Sequence, residues 1–416
     1  MAHTLFAAGV TRRRLLTAAA AGALVAGCEE SAGGKERARL RVLVVGAGII
    51  GASIAYFLAK GGAKVTLIDK EGPASHASRG TFAWINASWA KQPRDYHSLN
   101  QLGVSGWSVL EEDLEIPVRW SGALEWFDSP ARMATLATDI AEQQAWGEPA
   151  QMLSAAEVRG REPSLAEPVA AAYSPRDGAV DPVLATQMLV KGAQKFGATV
   201  ITPATLTGVT LESSRVVAGQ TDLGDMPADR IVLATGAAPA LPGVIAQSAV
   251  PQRTTSGVIA ITRPMRPVLR HILAIPGVHM HQRTDGRVVL GEPDGPPGTQ
   301  EHAARLSERP RQFPNDALAA QHGGQLLARA QAHVPALAGA QLEDTLIGWR
   351  PLPIDGHPVI GAAPARPDVY LAITHSGVTL APAIGQLAAY EILEARAISR
   401  LAPYRPGRQF EEIVRY

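Results

Sequence analysis

Residues 40–69 read LRVLVVGAGIIGASIAYFLAKGGAKVTLID. The apolar run Leu43–Val45 has the composition of a buried parallel strand. It opens onto Gly46, Gly48 and Gly51, a G-x-G-x-x-G spacing, and a helix is predicted from there to about Lys60. A second apolar run, Val65–Ile68, ends in Asp69, with Lys70 behind it. Gly46 permits the tight turn out of the strand, Gly48 lets a pyrophosphate approach the backbone, and Gly51 lets helix and strand pack closely. The helix start at Ile49 and Ile50 presents N–H groups and a positive dipole end to phosphates. Asp69 stands where an acid can accept both hydroxyls of an adenosine ribose. A glycine triplet alone is weak evidence, and a βαβ unit that binds nothing is the plain alternative. Strand, helix, strand and acid in register predict a dinucleotide site. The acid disfavours a 2′-phosphate, so FAD or NAD is expected over NADP.

Upstream, Thr11-Arg12-Arg13-Arg14-Leu15-Leu16 is a twin-arginine pattern before an apolar stretch, Leu15 to Gly27. Val25-Ala26-Gly27-Cys28 then reads as a lipoprotein cleavage box, with Cys28 the lipid-accepting residue. The stretch is too short to span a bilayer and has the length of a signal-peptide core. An ordinary secretory signal is the alternative. Cys28 is the single cysteine of the chain and sits where lipidation requires it. The expectation is an exported protein on the outer side of the membrane, attached only through N-terminal acyl chains.

Composition bounds the rest. Without residues 1–27 the chain keeps 389 residues, enough for two domains, with 36 basic and 38 acidic side chains. That near-neutral balance leaves no footprint for nucleic acid. With Cys28 spent on the anchor, no disulfide, thiolate metal site or cysteinyl flavin is expected.

Further on, His97–Leu114 carries Leu99, Leu102, Trp107, Leu110 and Leu114 at near-helical spacing. Ser154 and Glu157 make a capping box. A helix is expected over Ala185–Phe196, then a strand over Ala198–Ile201, and another strand over Arg230–Gly236. Val278–Gln282 and Arg287–Leu290 read as a hairpin around Asp285-Gly286. Glu292–Asp316 reads as a surface excursion. Tyr370–Thr374 is a last strand and Thr379–Ala397 a last helix.

Four blocks together resemble the FAD-dependent D-amino-acid oxidase and glycine oxidase superfamily, over about residues 40–398. They are the fingerprint, Asp177-Gly178-Ala179-Val180-Asp181-Pro182, Val232-Leu233-Ala234-Thr235-Gly236-Ala237, and Gly348 to Gly361 with His375 to Pro382. The last is the most specific and moves the expected cofactor to FAD. The resemblance implies an α/β fold: a Rossmann-like FAD domain with a discontinuous mixed-sheet substrate domain. It divides the chain into a signal peptide (1–27), a tether (28–39), FAD-binding parts (40–95, 166–247, 341–400), substrate parts (96–165, 248–340) and a tail (401–416). Beyond the fingerprint, it implies cofactor contacts at Ser78, Arg79, Thr81, Leu206, Ala234, Thr235, Gly236, Gly348, Arg350, Gly377, Val378, Thr379 and Leu380.

The resemblance also implies that Arg350 clamps a substrate carboxylate, for which a guanidinium offers paired planar donors. N–H groups near Gly377–Leu380 can stabilise charge that develops when flavin takes up a hydride. His279, His281 and Arg283 alternate along a strand and should share one face, which makes His281 and Arg283 further candidates for the catalytic site. No metal site is expected, because no further ligands are in register. The family's flavin-tethering histidine after a Thr-Trp pair has no counterpart in Thr81-Phe82-Ala83-Trp84, so FAD should be non-covalent; Trp84 and Trp89 could wall the site.

The expected enzyme is an amine or amino-acid oxidase or dehydrogenase. It would take a hydride from the carbon beside the nitrogen of a D-amino acid, glycine or N-methyl amino acid, giving an imine and then an oxo acid. Dioxygen, a quinone or a redox protein would take the electrons. Two other readings are a solute-binding lipoprotein, which has no use for the fingerprint, and a flavin-binding scaffold without turnover.

Overall fold

The apolar runs flanking the glycine fingerprint become the centre of a six-stranded sheet. A computed structural model describes residues 39–88, 91–293 and 312–413. The strand order is Val359–Ala363, Arg366–Ile373, Arg230–Leu233, Arg41–Val45, Lys64–Ile68, Thr199–Ile201. All neighbours run parallel except the first pair. The fingerprint strand lies between Arg230–Leu233 and Lys64–Ile68, so the chain order reverses there, and a crevice opens at the strands' carboxyl ends. Helices Ile49–Lys60, Arg94–Leu114, Pro182–Lys195 and Gly377–Glu394 cover one face around Leu58, Leu99, Trp107, Leu110 and Ile384. A three-stranded sheet, Leu206–Glu212, Arg215–Thr221 and Gly224–Pro227, closes the other face.

The second layer is an eight-stranded sheet in the order Leu342–Pro353, Gln252–Thr262, Val288–Gly291, Val278–Gln282, Ile272–Ile275, Ala123–Glu125, Ala171–Ser174, Gln151–Leu153. The hairpin at Gly286, with φ +87, forms as expected. So does the capping box of Ser154 and Glu157.

Several boundaries shift. The helix expected from Ala185 starts at Pro182, because Asp181 caps it by accepting from Val183 and Leu184 N–H. The last helix starts at Gly377 rather than Thr379 and ends at Glu394. Helix Arg94–Leu114 packs against helix Gly377–Glu394 in the core beside the six-stranded sheet, whereas Ala171–Ser174 and Leu342–Pro353 join the eight-stranded one. The C-terminal segment is a strap: Leu401 and Tyr404 are buried, and Arg408 makes a two-pronged bond to Asp355 at 2.8 and 3.1 Å.

Besides the short helix Ala240–Ala246, two helices are not legible in the sequence, Pro130–Ala145 and Asp316–His333. The second carries Gly323-Gly324 in its interior, which reads locally as a helix breaker. A Cβ on Gly323 would lie 2.5 Å from Thr345 Oγ1, so that glycine serves close packing of helix on strand. Cys28 and the signal segment lie outside the described residues, as do Trp89 and most of the Glu292–Asp316 excursion. Among the described residues, no helix is long and apolar enough to cross a membrane.

Candidate active site

At the nucleotide end the three glycines differ in what constrains them. Gly46 has φ +104, and a Cβ there would meet the Ala234 carbonyl oxygen at 2.4 Å. A Cβ on Gly51 would lie 1.8 Å from the Gly46 carbonyl oxygen, so helix and turn can touch only without it. At Gly48 the nearest atom is Ser78 Oγ at 3.3 Å, which leaves an open approach to the backbone. Ser78 Oγ accepts from Ile49 N–H at 2.9 Å. The Ile50 and Gly51 N–H groups at this helix start have no intrahelical acceptor.

Asp69 is buried and already employed. It accepts from Ala47 N–H at 2.8 Å, Glu71 N–H at 2.9 Å and Gly72 N–H at 3.0 Å. It therefore ties the glycine turn to the loop after the second strand. A carboxylate has about four acceptor sites, so room for a ribose hydroxyl is smaller than the motif suggests. Lys70 is exposed. Leu206 is in the apolar core, leaving only its backbone for a ligand. The Arg79 side chain is 56% exposed and pairs with Asp344 at 3.1 Å, at the surface, which leaves only its backbone for a ligand. Thr81 Oγ1 accepts from Ala83 N–H.

Ser78–Thr81 leads to the second half of the site. Gly80 and Gly348 touch backbone to backbone, since a Cβ on Gly348 would lie 1.8 Å from the Gly80 carbonyl oxygen. Gly348 pairs with Gly257 across the sheet, and Arg350 pairs with Thr255. Residues opposite one another share a face. Gly348, Arg350, Thr255 and Gly257 therefore line one side, that of the Gly80 loop. The Arg350 guanidinium lies over Gly257, where an added Cβ would be 3.2 Å from Nη2.

Helix Gly377–Glu394 aims its N-terminus into the same crevice. Ser376 precedes it with φ +40, a left-handed conformation unusual for a serine, which turns the chain sharply out of the last strand. The Cβ position of Gly377 lies 3.6 Å from Ile50, so two helix starts stand side by side and their positive ends add. Thr379 Oγ1 accepts from Asn86 N–H at 3.0 Å and donates to the Trp84 carbonyl at 3.2 Å. Trp107 Nε1–H donates to the Val378 carbonyl at 2.8 Å. Val378, Thr379 and Leu380 can thus offer a ligand only their backbone. Leu380 N–H already bonds the Ser376 carbonyl.

Four buried polar atoms between these elements have no hydrogen-bond partner: Thr235 Oγ1, Gln252 Oε1, Thr255 Oγ1 and Thr374 Oγ1. Such atoms are costly unless a ligand or water meets them. Gln252 Nε2 reaches the Gly236 carbonyl at 3.4 Å, which ties the second turn to the sheet strand that carries Thr255. Together with two free helix starts and a glycine cradle, they fit FAD, whose phosphates, hydroxyls and flavin carbonyls need many donors and acceptors. Gln252, Thr255 and Thr374 went unread in the sequence, as did Lys91.

His375 and Lys91 complete the electrostatics. Burial pushes the His375 pKa down to about 3, with Arg350 and Lys91 adding to the effect, so its ring is neutral. Lys91 is buried, and its Nζ donates to Asn86 Oδ1 at 2.7 Å, Asn100 Oδ1 at 2.9 Å and the Asn86 carbonyl at 3.2 Å.

His281 and Arg283 do not join this cluster. His279 and His281 face Phe82, and Met280 and Gln282 the other side, as alternation requires. His281 Nε2 lies 2.8 Å from the Phe82 carbonyl, an acceptor, so Nε2 carries the hydrogen. Burial takes its pKa down to about 3. Arg283 pairs with Asp181 at 2.9 Å. The His281 row runs through Val289 and Ile261 to Asp344, six residues before Arg350 and three strands away. Standard strand dimensions make that separation on the order of 20 Å, too far to hold one small substrate together. Among the described residues no cluster of metal-ligating side chains occurs.

A family model described as FAD dependent oxidoreductase matches residues 41–391. The chain belongs to that family; it is an FAD-dependent oxidoreductase, and the solute-binding alternative falls. Among curated relatives, an uncharacterised oxidoreductase of Bacillus subtilis is 29% identical over 88% of this chain and 98% of its own length. Glycine oxidase of Geobacillus kaustophilus is 26% identical over 90% and 98%. The solved structure of a Geobacillus kaustophilus glycine oxidase has a TM-score of 0.79 at 25% identity, covering 89% of this chain and all of that one. L-proline dehydrogenase from P. horikoshii, at TM-score 0.75 and 22% identity over 88% and 97%, shares the fold.

Proposed function

We propose that this enzyme oxidises an amino acid, whether a D-amino acid, glycine or an N-methylated one, at the carbon beside the nitrogen. The product is an imine that water hydrolyses to an oxo acid. The observation that carries this reading is Arg350, half-buried on the sheet face that meets the Gly80 loop, with the unpartnered Thr255 hydroxyl directly opposite. A planar cation there suits a carboxylate. The name of one relative, glycine oxidase, points the same way, and another, a formaldehyde-forming 4-methylaminobutanoate oxidase, supports an N-methylated amino acid as substrate without the oxo-acid product.

Bound FAD supplies the hydride acceptor. Arg350 holds the carboxylate, and Gly257 leaves the guanidinium room to lie flat against the strand. His375, neutral and buried, adds no second cation beside Arg350. The N–H groups of the Gly377 helix start face developing negative charge. FAD is held without a covalent bond. The enzyme is exported through the twin-arginine signal and anchored at Cys28, and it passes its electrons to dioxygen, a quinone or a redox protein.

Anaerobic bleaching of the flavin by a panel of D-amino acids, glycine and N-methylated amino acids tests the reading. Bleaching by carboxylate-bearing amines is expected. Bleaching only by amines without a carboxylate would defeat it.

A further inference from the structure

Lys91 has no counterpart among the motifs that define the site, yet among the described residues it is the one lysine that is buried. Its Nζ is met by three oxygens, two from Asn86 and one from Asn100. The Asn100 amide is oriented by its Nδ2–H, which donates to the Tyr96 carbonyl at 2.8 Å, so its oxygen must face Lys91. Three acceptors match the three hydrogens of an ammonium. A neutral amine would turn its lone pair against an oxygen. The cradle is therefore built for the charged form.

That cradle is fastened to the flavin side. Asn86 N–H donates to Thr379 Oγ1, in the first turn of helix Gly377–Glu394. Asp177, also buried, lies near enough for its charge to act on Lys91 and accepts from Trp84 Nε1–H at 2.8 Å. Asp177 lines a small cavity of mixed polarity with Gln101, Gln143, Glu148 and Arg176. The Gln101 and Gln143 side chains each present an unpartnered buried atom there.

We infer that Lys91 is a positioning residue for electron transfer: a fixed buried cation that reinforces the Gly377 helix start and raises the electron affinity of the bound flavin, with Asp177 setting the strength of that field. The placement rests on the FAD site derived above and not on the choice of substrate. Both groups are poised near neutrality. Burial brings the Lys91 pKa down to about 7, against the pull of Asp177, and pushes that of Asp177 up to about 7, against its hydrogen bonds and Lys91. As pH rises through that range, the pair loses positive charge, and the flavin becomes harder to reduce. The charged groups around the pair are Arg350 on the flavin side and Glu148 and Arg176 around the cavity, with the titratable rings of His375 and His97 beside them.

The test uses purified holoenzyme and sulfite, which binds oxidised flavin as an anion, together with the flavin reduction potential. Neither measurement needs a substrate, so a wrong substrate class leaves both intact. A unit charge on the order of 10 Å away, at an effective dielectric of about 20, changes anion affinity on the order of 10-fold. Lys91→Met should weaken sulfite binding by about that factor and lower the potential. Asp177→Asn, nearly the same shape, should do the opposite and strengthen sulfite binding above pH 7, where the Asp177 carboxylate is ionised and its loss outweighs the support it gives to the charge on Lys91. Opposite signs are the signature, since a merely structural role would weaken both or move neither. If Lys91→Met fails to retain FAD, Asp177→Asn decides alone, and unchanged or weaker sulfite binding there overturns the inference.

Discussion

Replacing Arg350 by alanine is the sharpest perturbation of the proposed chemistry. Arg350 is half-buried on a strand, and its backbone is held by the ladder to Gln252–Thr262, so truncation should leave the fold and flavin content near normal. A carboxylate about 4 Å from the guanidinium gains roughly 4 kcal/mol at an effective dielectric near 20. Truncating one partner of a buried charge pair costs on the order of 2–5 kcal/mol, mostly because the other charge is left unpaired. The expected loss in kcat/KM is therefore roughly 30-fold to several thousand-fold. Arg350→Lys should recover part of it, because an ammonium lacks the planar fork. Gly257→Ala gives an independent check: its Cβ would sit 3.2 Å from Nη2 and should raise KM by displacing the guanidinium. Stopped-flow reduction with a carboxylate-bearing amine, set against an amine without one, reads the effect directly. Wild-type kcat/KM in Arg350→Ala would refute the clamp. Arg283 could not then take over, because Asp181 holds it and the sheet places it far from the crevice.

Heat or acid should release FAD into the supernatant, since no cysteine follows Cys28; flavin that stays with precipitated polypeptide would contradict non-covalent binding. Gly51→Ala should give apoprotein, read from the flavin absorbance of the purified variant, because its Cβ would fall 1.8 Å from the Gly46 carbonyl oxygen. Changing Arg12 and Arg13 to lysine should strand the precursor in the cytoplasm, and Cys28→Ala should abolish lipid labelling; functional protein that keeps Met1 would oppose both. His281 and His375 should show no ring protonation by NMR from pH 8 down to about 4, because burial lowers both pKa values to about 3. Their folded values lie below the unfolded value near 6.5. The stability they contribute is therefore full above that pH and is lost as pH falls toward about 3, which acid unfolding of His281→Asn should show as a shallower decline.

The nucleotide half of this protein was legible in residues 40–69 because its determinants are local. A strand, a turn needing φ > 0, a helix start and an acid follow one another within one βαβ unit, and Gly46 and Gly51 do what their spacing implies. Arg350 and the Gly377 helix start were legible only through resemblance, since nothing in the local pattern places them near the fingerprint. The tertiary structure decided the rest. Alternation put His281 and Arg283 on the right face but could not give their distance from Arg350, which depends on how four strands are ordered and registered. The Arg79 side chain turns to the surface because Asp344, hundreds of residues away, holds it there. Lys91 reads as a surface residue in any sequence, since lysine is rarely buried. Only the packing of Asn86, Asn100 and Asp177 from separate elements makes its burial possible, and a composite environment of that kind leaves no periodic trace in the chain.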